Sequence, residues 1–281
     1  MKERRILLVS FFVSLAFLFS VQVVFAGLII ERVHRIDAPG HAAGSDKQVS
    51  FFQANKVKTV SGDGSYAILD MGKGIMIMVD PGKKEYSVTS LKEMVSTMEQ
   101  GMKQLQDRFN ALPPEQRAMV EKMMGIQKAA PGSLKLKDTG ETAKIAGYLA
   151  KKYVILKNGK PLSEYWVSKA LRQDILHEID KSKIKDFENA MNKISMEGMP
   201  FGSSEAKEIV KLEQKVQEYG EVVKELHYPH AANMNRSDSF QVVSVKKANI
   251  PRSEFQVPAG YKKMESPMKR LKAASAKFGQ K

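Results

Sequence analysis

Cysteine is absent from all 281 residues. Its absence excludes disulfides, thiolate nucleophiles and cysteine-based metal sites, and also the lipid anchor that bacterial lipoproteins carry on a cysteine. Tryptophan occurs once, as Trp166. There is no Gly-x-Ser-x-Gly elbow, no phosphate-cradling glycine loop and no internal repeat, so the usual hydrolase and nucleotide-binding signatures are missing. Beyond residue 26 no apolar run is long enough to span a bilayer. Acidic residues are in deficit: 31 Asp and Glu stand against 45 Lys and Arg, a net charge of +14. Such a chain is drawn to anionic lipid, lipopolysaccharide or acidic polymer, although a Lys-rich soluble surface accounts for the same composition.

What is present begins with an export signal. Lys2, Arg4 and Arg5 precede an apolar stretch over residues 6–25, and Val24-Phe25-Ala26 supplies small residues for cleavage after Ala26. Retention of the same stretch as a membrane anchor is the alternative. After cleavage the chain from Gly27 onward is expected to be periplasmic or secreted, and nucleic acid is not an expected partner.

Residues 61–89 organise the remainder. Tyr66 to Asp70, Ile75 to Val79 and Glu85 to Thr89 read as three strands, separated by Met71-Gly72-Lys73-Gly74 and Asp80-Pro81-Gly82-Lys83. The middle strand is apolar at every position, as a strand covered on both faces would be. Its expected cover is the helix over residues 90–112. There Leu91, Met94, Val95, Met98, Met102, Leu105, Phe109 and Leu112 form one stripe, and Ser90 with Glu93 forms a capping box. Two strands are expected before the meander, at 27–36 and 49–60. After it come strands near 134–136, 145–156 and 162–167, with an Asn158-Gly159 hairpin turn. A helix over 171–194 and another from Ser203 or Ser204 to Tyr219 follow, then strands at 222–228 and 240–245. Ile250-Pro251 and Phe255-Gln256-Val257-Pro258 suit an edge or a cover, because proline cannot donate in a central ladder. Residues 262–281 read as a basic, frayed tail. The order predicts an α+β domain over residues 27–261: a curved antiparallel sheet, or half-barrel, with helices packed on its concave face.

Several stretches coincide with one family: the Tyr66-Ala67-Ile68-Leu69-Asp70 strand and its apolar partner, Asp80-Pro81-Gly82-Lys83-Lys84-Glu85-Tyr86, Asp138-Thr139-Gly140-Glu141-Thr142, Glu164-Tyr165-Trp166-Val167, and Phe255-Gln256-Val257-Pro258-Ala259-Gly260-Tyr261. Together they resemble the exported bacterial proteins catalogued as domain of unknown function 4412, whose layout is similar to the lipoprotein-carrier (LolA/LolB-like) fold. The resemblance implies an apolar cavity between sheet and helices and assigns no chemistry.

Candidate sites follow from this. Met76, Met78, Met94, Met98, Met102, Leu105 and Phe109 would line a groove between the middle strand and the Met-rich helix, holding an acyl chain, a lipoprotein or an amphipathic peptide. Plain core packing explains the same stripe. Convergent thioethers could instead bind Cu(I), giving a copper-handling protein. A third reading is an envelope-associated structural protein held to anionic surfaces by its basic tail. His227 and His230 form the only close His pair, but Pro229 interrupts any helix that would align them, and no metal or other cofactor is expected. No catalytic constellation is found, so the chain is read as a binding protein and not an enzyme.

Overall fold

A computed structural model describes residues 27–37, 44–123, 133–197, 204–228 and 237–278. The expected signal segment, His230 and parts of the expected loops lie outside these residues.

Six strands come first: β1 (Leu28–Asp37), β2 (Gly44–Gln53), β3 (Lys56–Val60), β4 (Tyr66–Asp70), β5 (Ile75–Asp80) and β6 (Glu85–Ser90). The run 49–60 is therefore two strands, not one. Ala54 and Asn55 turn the chain between them, both with positive φ, 49° and 64°, as a two-residue hairpin loop requires. Helices α1 (Leu91–Ala111) and α2 (Pro114–Met123) follow, and Ser90 caps α1 by accepting from the Glu93 N–H at 3.0 Å. Next come β7 (Leu134–Ile145), β8 (Tyr148–Lys157) and β9 (Lys160–Ser168). The Asp138–Thr142 segment is a bulge within β7, where Gly140 takes φ +77°.

The helical stretch expected over 171–194 is two helices, α3 (Lys169–Glu178) and α4 (Lys181–Glu197), which part at Ile179-Asp180. Then come α5 (Ser204–Glu218), β10 (Glu221–His227) and β11 (Ser237–Lys247). The residues expected to fray instead carry β12 (Lys262–Met264) and α6 (Pro267–Phe278). Ser266 starts α6 by accepting from the Lys269 N–H at 3.2 Å, with Pro267 at the first helical position.

Among the described residues twelve strands form one sheet in the order β12-β6-β5-β4-β3-β2-β1-β11-β10-β9-β8-β7. Every pairing is antiparallel except β12 on β6. The class is α+β, as the sequence predicts.

Ladder partners share a face, so the register sorts the side chains. Leu28, Ile30 and Arg32 lie opposite Phe52, Ser50 and Gln48; the same face continues through Val57, Thr59, Ala67, Leu69, Met76 and Met78. Leu171, Ile175, Ile179 and Ile184 from α3 and α4 pack with Leu28, Ile30 and Phe52 of this face. Each such fully buried side chain stabilises the fold by about 1.5–3 kcal/mol. Farther along the sheet, Val216 of α5 is buried with Tyr153, Ile155, Tyr165 and Val167. On the opposite face Tyr66, Ile68 and Val79 are buried against Ile250 and Phe255, with Val257 and Tyr261 beside them. The proline-flanked segment is thus a cover.

This corrects the expected role of α1. Its principal partners are α4 and α6, with β6 at its start, and none of its residues is fully buried. The middle strand β5 is shielded by the 250–261 segment on one side and approached by α4 on the other. A stripe with helical spacing specifies that a face is covered, but not by what.

Candidate ligand groove

The corner between α3 and α4 is fixed to the sheet at Asn55 and again at Gly27, whose N–H donates to the Glu178 carboxylate at 3.1 Å. Asn55 donates its N–H to the Glu178 carbonyl at 3.0 Å, and its Oδ1 accepts from the Asp180 N–H at 2.7 Å. Asp180 then opens α4, its Oδ1 accepting from the Ser182 N–H at 2.7 Å and from the Ser182 hydroxyl at 2.6 Å. Ser168 does the same for α3, accepting from the Leu171 N–H at 3.3 Å. The two helices are therefore held across the sheet by caps at both starts.

Between them and the sheet lies a hollow of about 370 Å³. Its walls are Phe52, Val57, Leu69, Met71 and Met76 from the sheet side and Ile175, Ile179, Ile184 and Phe187 from the helices. One end is closed by charge. Arg32 donates to Glu221 at 3.0 Å, and Arg172 reaches Glu188 at 2.5 Å and Glu221 at 3.6 Å. Burial pushes the Glu221 carboxyl above its ordinary range, outweighing the two guanidinium groups that pull it down. The Arg32 Nε is buried with no hydrogen-bond partner. These four side chains also form the wall of a second, more polar hollow of about 560 Å³, lined further by His34, Gln48, Gln217, Glu225 and Phe240. The space is thus an apolar groove with an ionic partition at its end.

Around the polar hollow the charges are paired. His34 is bonded to Asp238 and His227 to Glu225. Glu225 holds the His227 ring above its usual pKa, although burial works the other way. Tyr165 donates to Glu213 at 3.0 Å; burial raises the Glu213 carboxyl and the Tyr165 phenol alike. Among the described residues no group of three or more His, Asp or Glu is placed to hold a metal.

The side chains proposed from sequence separate. Met76 lines the apolar groove, while Met78 is 47% exposed farther along β5. Met98, Met102 and Leu105 meet one another in a shallow groove of about 270 Å³ on the far side of α1, facing Leu271 of α6. Met94 is half-buried, and Phe109 is half-buried with the Arg117 guanidinium over its ring. Met76 and the Met98–Met102–Leu105 stripe thus line separate hollows, because α1 packs mainly on α4 and α6.

Arg32, Arg172, Glu188 and Glu221 come from β1, α3, α4 and β10, too far apart in sequence to form a motif. A signal existed in β1: Leu28, Ile30, Arg32 and His34 alternate onto one face, which places a cation in an apolar row.

No family model matches the chain, and no curated protein matches it. Solved structures to which it is similar include PNGF-II, 13% identical over 88% of this chain and 32% of that one, with a TM-score of 0.35. A LolA superfamily protein from Nitrosomonas europaea is 7% identical over 84% of this chain and 92% of that one, TM-score 0.27. The MucA/MucB complex of Pseudomonas aeruginosa gives 10% identity over 83% of this chain and 56% of that one, TM-score 0.31. The chain thus spans about a third of the PNGF-II chain and about half of the MucA/MucB one. Among the described residues no helix is long and apolar enough to cross a membrane.

Proposed function

We propose that this chain is an exported, periplasmic binding protein that holds the apolar part of an amphiphile, an acyl chain above all, in the groove beneath α3 and α4, and performs no chemistry on it. The observation that supports this is the groove itself: a half-open, aliphatic and aromatic channel of about 370 Å³ that stops at an Arg–Glu partition. That size and lining fall within the range of small-molecule sites. An acyl tail would replace water along Val57, Leu69, Ile184 and Phe187, and its polar end would lie at Arg32 and Arg172. The resemblance to domain of unknown function 4412 belongs to the same proposal, with the helix-covered face as the concave face of a half-barrel.

Titration with a dansyl-labelled fatty acid, paired with mass spectrometry of organic extracts from the purified full chain, tests it. Met76→Trp fills the groove from a partly exposed position and is expected to weaken the probe at least tenfold; Phe187→Ala widens it and retains binding. A chain that binds no probe, or a Met76→Trp variant that binds as well as the parent, overturns the reading. Unchanged circular dichroism separates lost binding from lost folding.

A further inference from the structure

We infer that the exposed sides of α1 and α6, together with β12, dock on an anionic lipid bilayer. The groove between α1 and α6 shares no lining residue with the one beneath α3 and α4, so this surface is distinct from it. Among the described residues the apolar part of this surface is only half covered. Met98, Met102 and Leu105 of α1 face Leu271 of α6 across the shallow groove, and Leu105 and Leu271 remain 49% and 50% exposed.

The occupant is indicated by charge. Lys262, Lys269, Arg270 and Lys272 are all exposed on β12 and α6. Over residues 262–272 the only opposing charge is Glu265, whereas on α1 the cations Lys92, Lys103 and Arg108 balance Glu93, Glu99 and Asp107, so the positive field comes from α6 and β12. Basic and apolar side chains interleaved on a helical surface suit the interfacial zone of a bilayer, where leucine and methionine enter among acyl tails and the cations meet phosphates. A second copy is disfavoured, since a self-complementary contact would set the same cations against each other. The position of α6 is fixed on this side by Ser266, which caps the helix and donates to Glu93 of α1 at 3.4 Å.

Co-sedimentation of the full chain with phosphatidylcholine vesicles, with and without phosphatidylglycerol, tests the inference. Binding is expected only with phosphatidylglycerol, and high salt should release the protein. Lys269→Glu with Arg270→Glu should weaken binding by roughly tenfold or more. Leu105→Ser with Leu271→Ser should weaken it while leaving the fold intact. Equal binding to neutral vesicles, or indifference to both double variants, overturns the inference. So does a dimer in light scattering that Leu105→Ser with Leu271→Ser dissolves, because the face is then a contact between copies. Met76→Trp should bind vesicles like the parent while losing the fatty-acid probe, which separates failure of this surface from failure of the groove.

Discussion

The Asn55 side chain accepts a hydrogen bond from the Asp180 backbone N–H at 2.7 Å, joining the β2–β3 turn to the break between α3 and α4. Asn55 also accepts at its carbonyl from the Met71 N–H at 2.9 Å. One residue thus connects two hairpins and a helix corner, in a left-handed conformation that asparagine tolerates better than most. Asn55→Ala should cost about 2 kcal/mol, from the strained φ and the lost acceptor together. Asn55→Gly should cost about half as much, because it relieves the strain and loses only the side chain. Urea unfolding of the two variants measures the difference; equal stabilities would remove Asn55 from this role.

Gly220 makes a steric prediction. A Cβ there would lie 2.8 Å from the Ser168 carbonyl oxygen, at a φ of +152° that side chains avoid. The collision is with backbone, at the point where α5 hands over to β10 beside the start of α3. Gly220→Ala is expected to destabilise by about 3 kcal/mol. A thermal midpoint equal to the parent's would show that Ser168 and Gly220 are less tightly apposed.

Tyr165 and Glu213 form a coupled pair between β9 and α5. Tyr165 is 3% exposed and donates to the carboxylate at 3.0 Å. Tyr165→Phe removes the donor and leaves the acid in a dehydrated place, at a cost of about 1–3 kcal/mol. Tyr165→Phe combined with Glu213→Leu should be more stable than Tyr165→Phe alone, since neither polar group is then stranded. A double-mutant cycle by chemical denaturation reads the coupling.

His227 predicts a pH dependence. Its bond to Glu225 raises the folded-state pKa above the ordinary 6.5, with Glu213 and Asp238 adding to the effect and burial opposing it. The folded chain therefore binds the proton more tightly than the unfolded one. The stability this contributes is fully present below pH 6.5 and is lost as pH rises through the elevated folded pKa. His227→Gln keeps a donor for Glu225 but does not titrate there. Unfolding free energies measured from about pH 6 to about pH 9 should fall less steeply for His227→Gln than for the parent.

The meander was legible because its turns use the residues that turns need: Gly72, Gly74, Pro81 and Gly82 bracket β5 as expected. That the 250–258 segment is an edge or a cover was legible too, since Pro251 and Pro258 exclude it from a central ladder, but not that it covers β5. The partner of the Met stripe was not. Met94, Met98 and Met102 show that a helix has an apolar side, and spacing says nothing about which distant element receives it. The ordered end of the chain was hidden for a different reason: its lysine content masks a local cap at Ser266 and a strand that forms only when β6 is already in place. Of the ionic partition only Arg32 left a trace, as a cation in the apolar row of β1; its partners Arg172, Glu188 and Glu221 converge with it only after the helices have crossed the sheet.

The placement of β1 between β2 and β11 has a consequence for how the chain is made. Leu28, near the start of the described chain, sits opposite Lys247, so the centre of the sheet is knit from segments synthesised far apart in time. Until residue 247 has left the ribosome or a translocation channel, β1 keeps one row of amides and carbonyls unmet. Assembly is thus dominated by long loop closures and should be slow, which leaves an interval in which a holding chaperone, not native structure, guards that strand against aggregation.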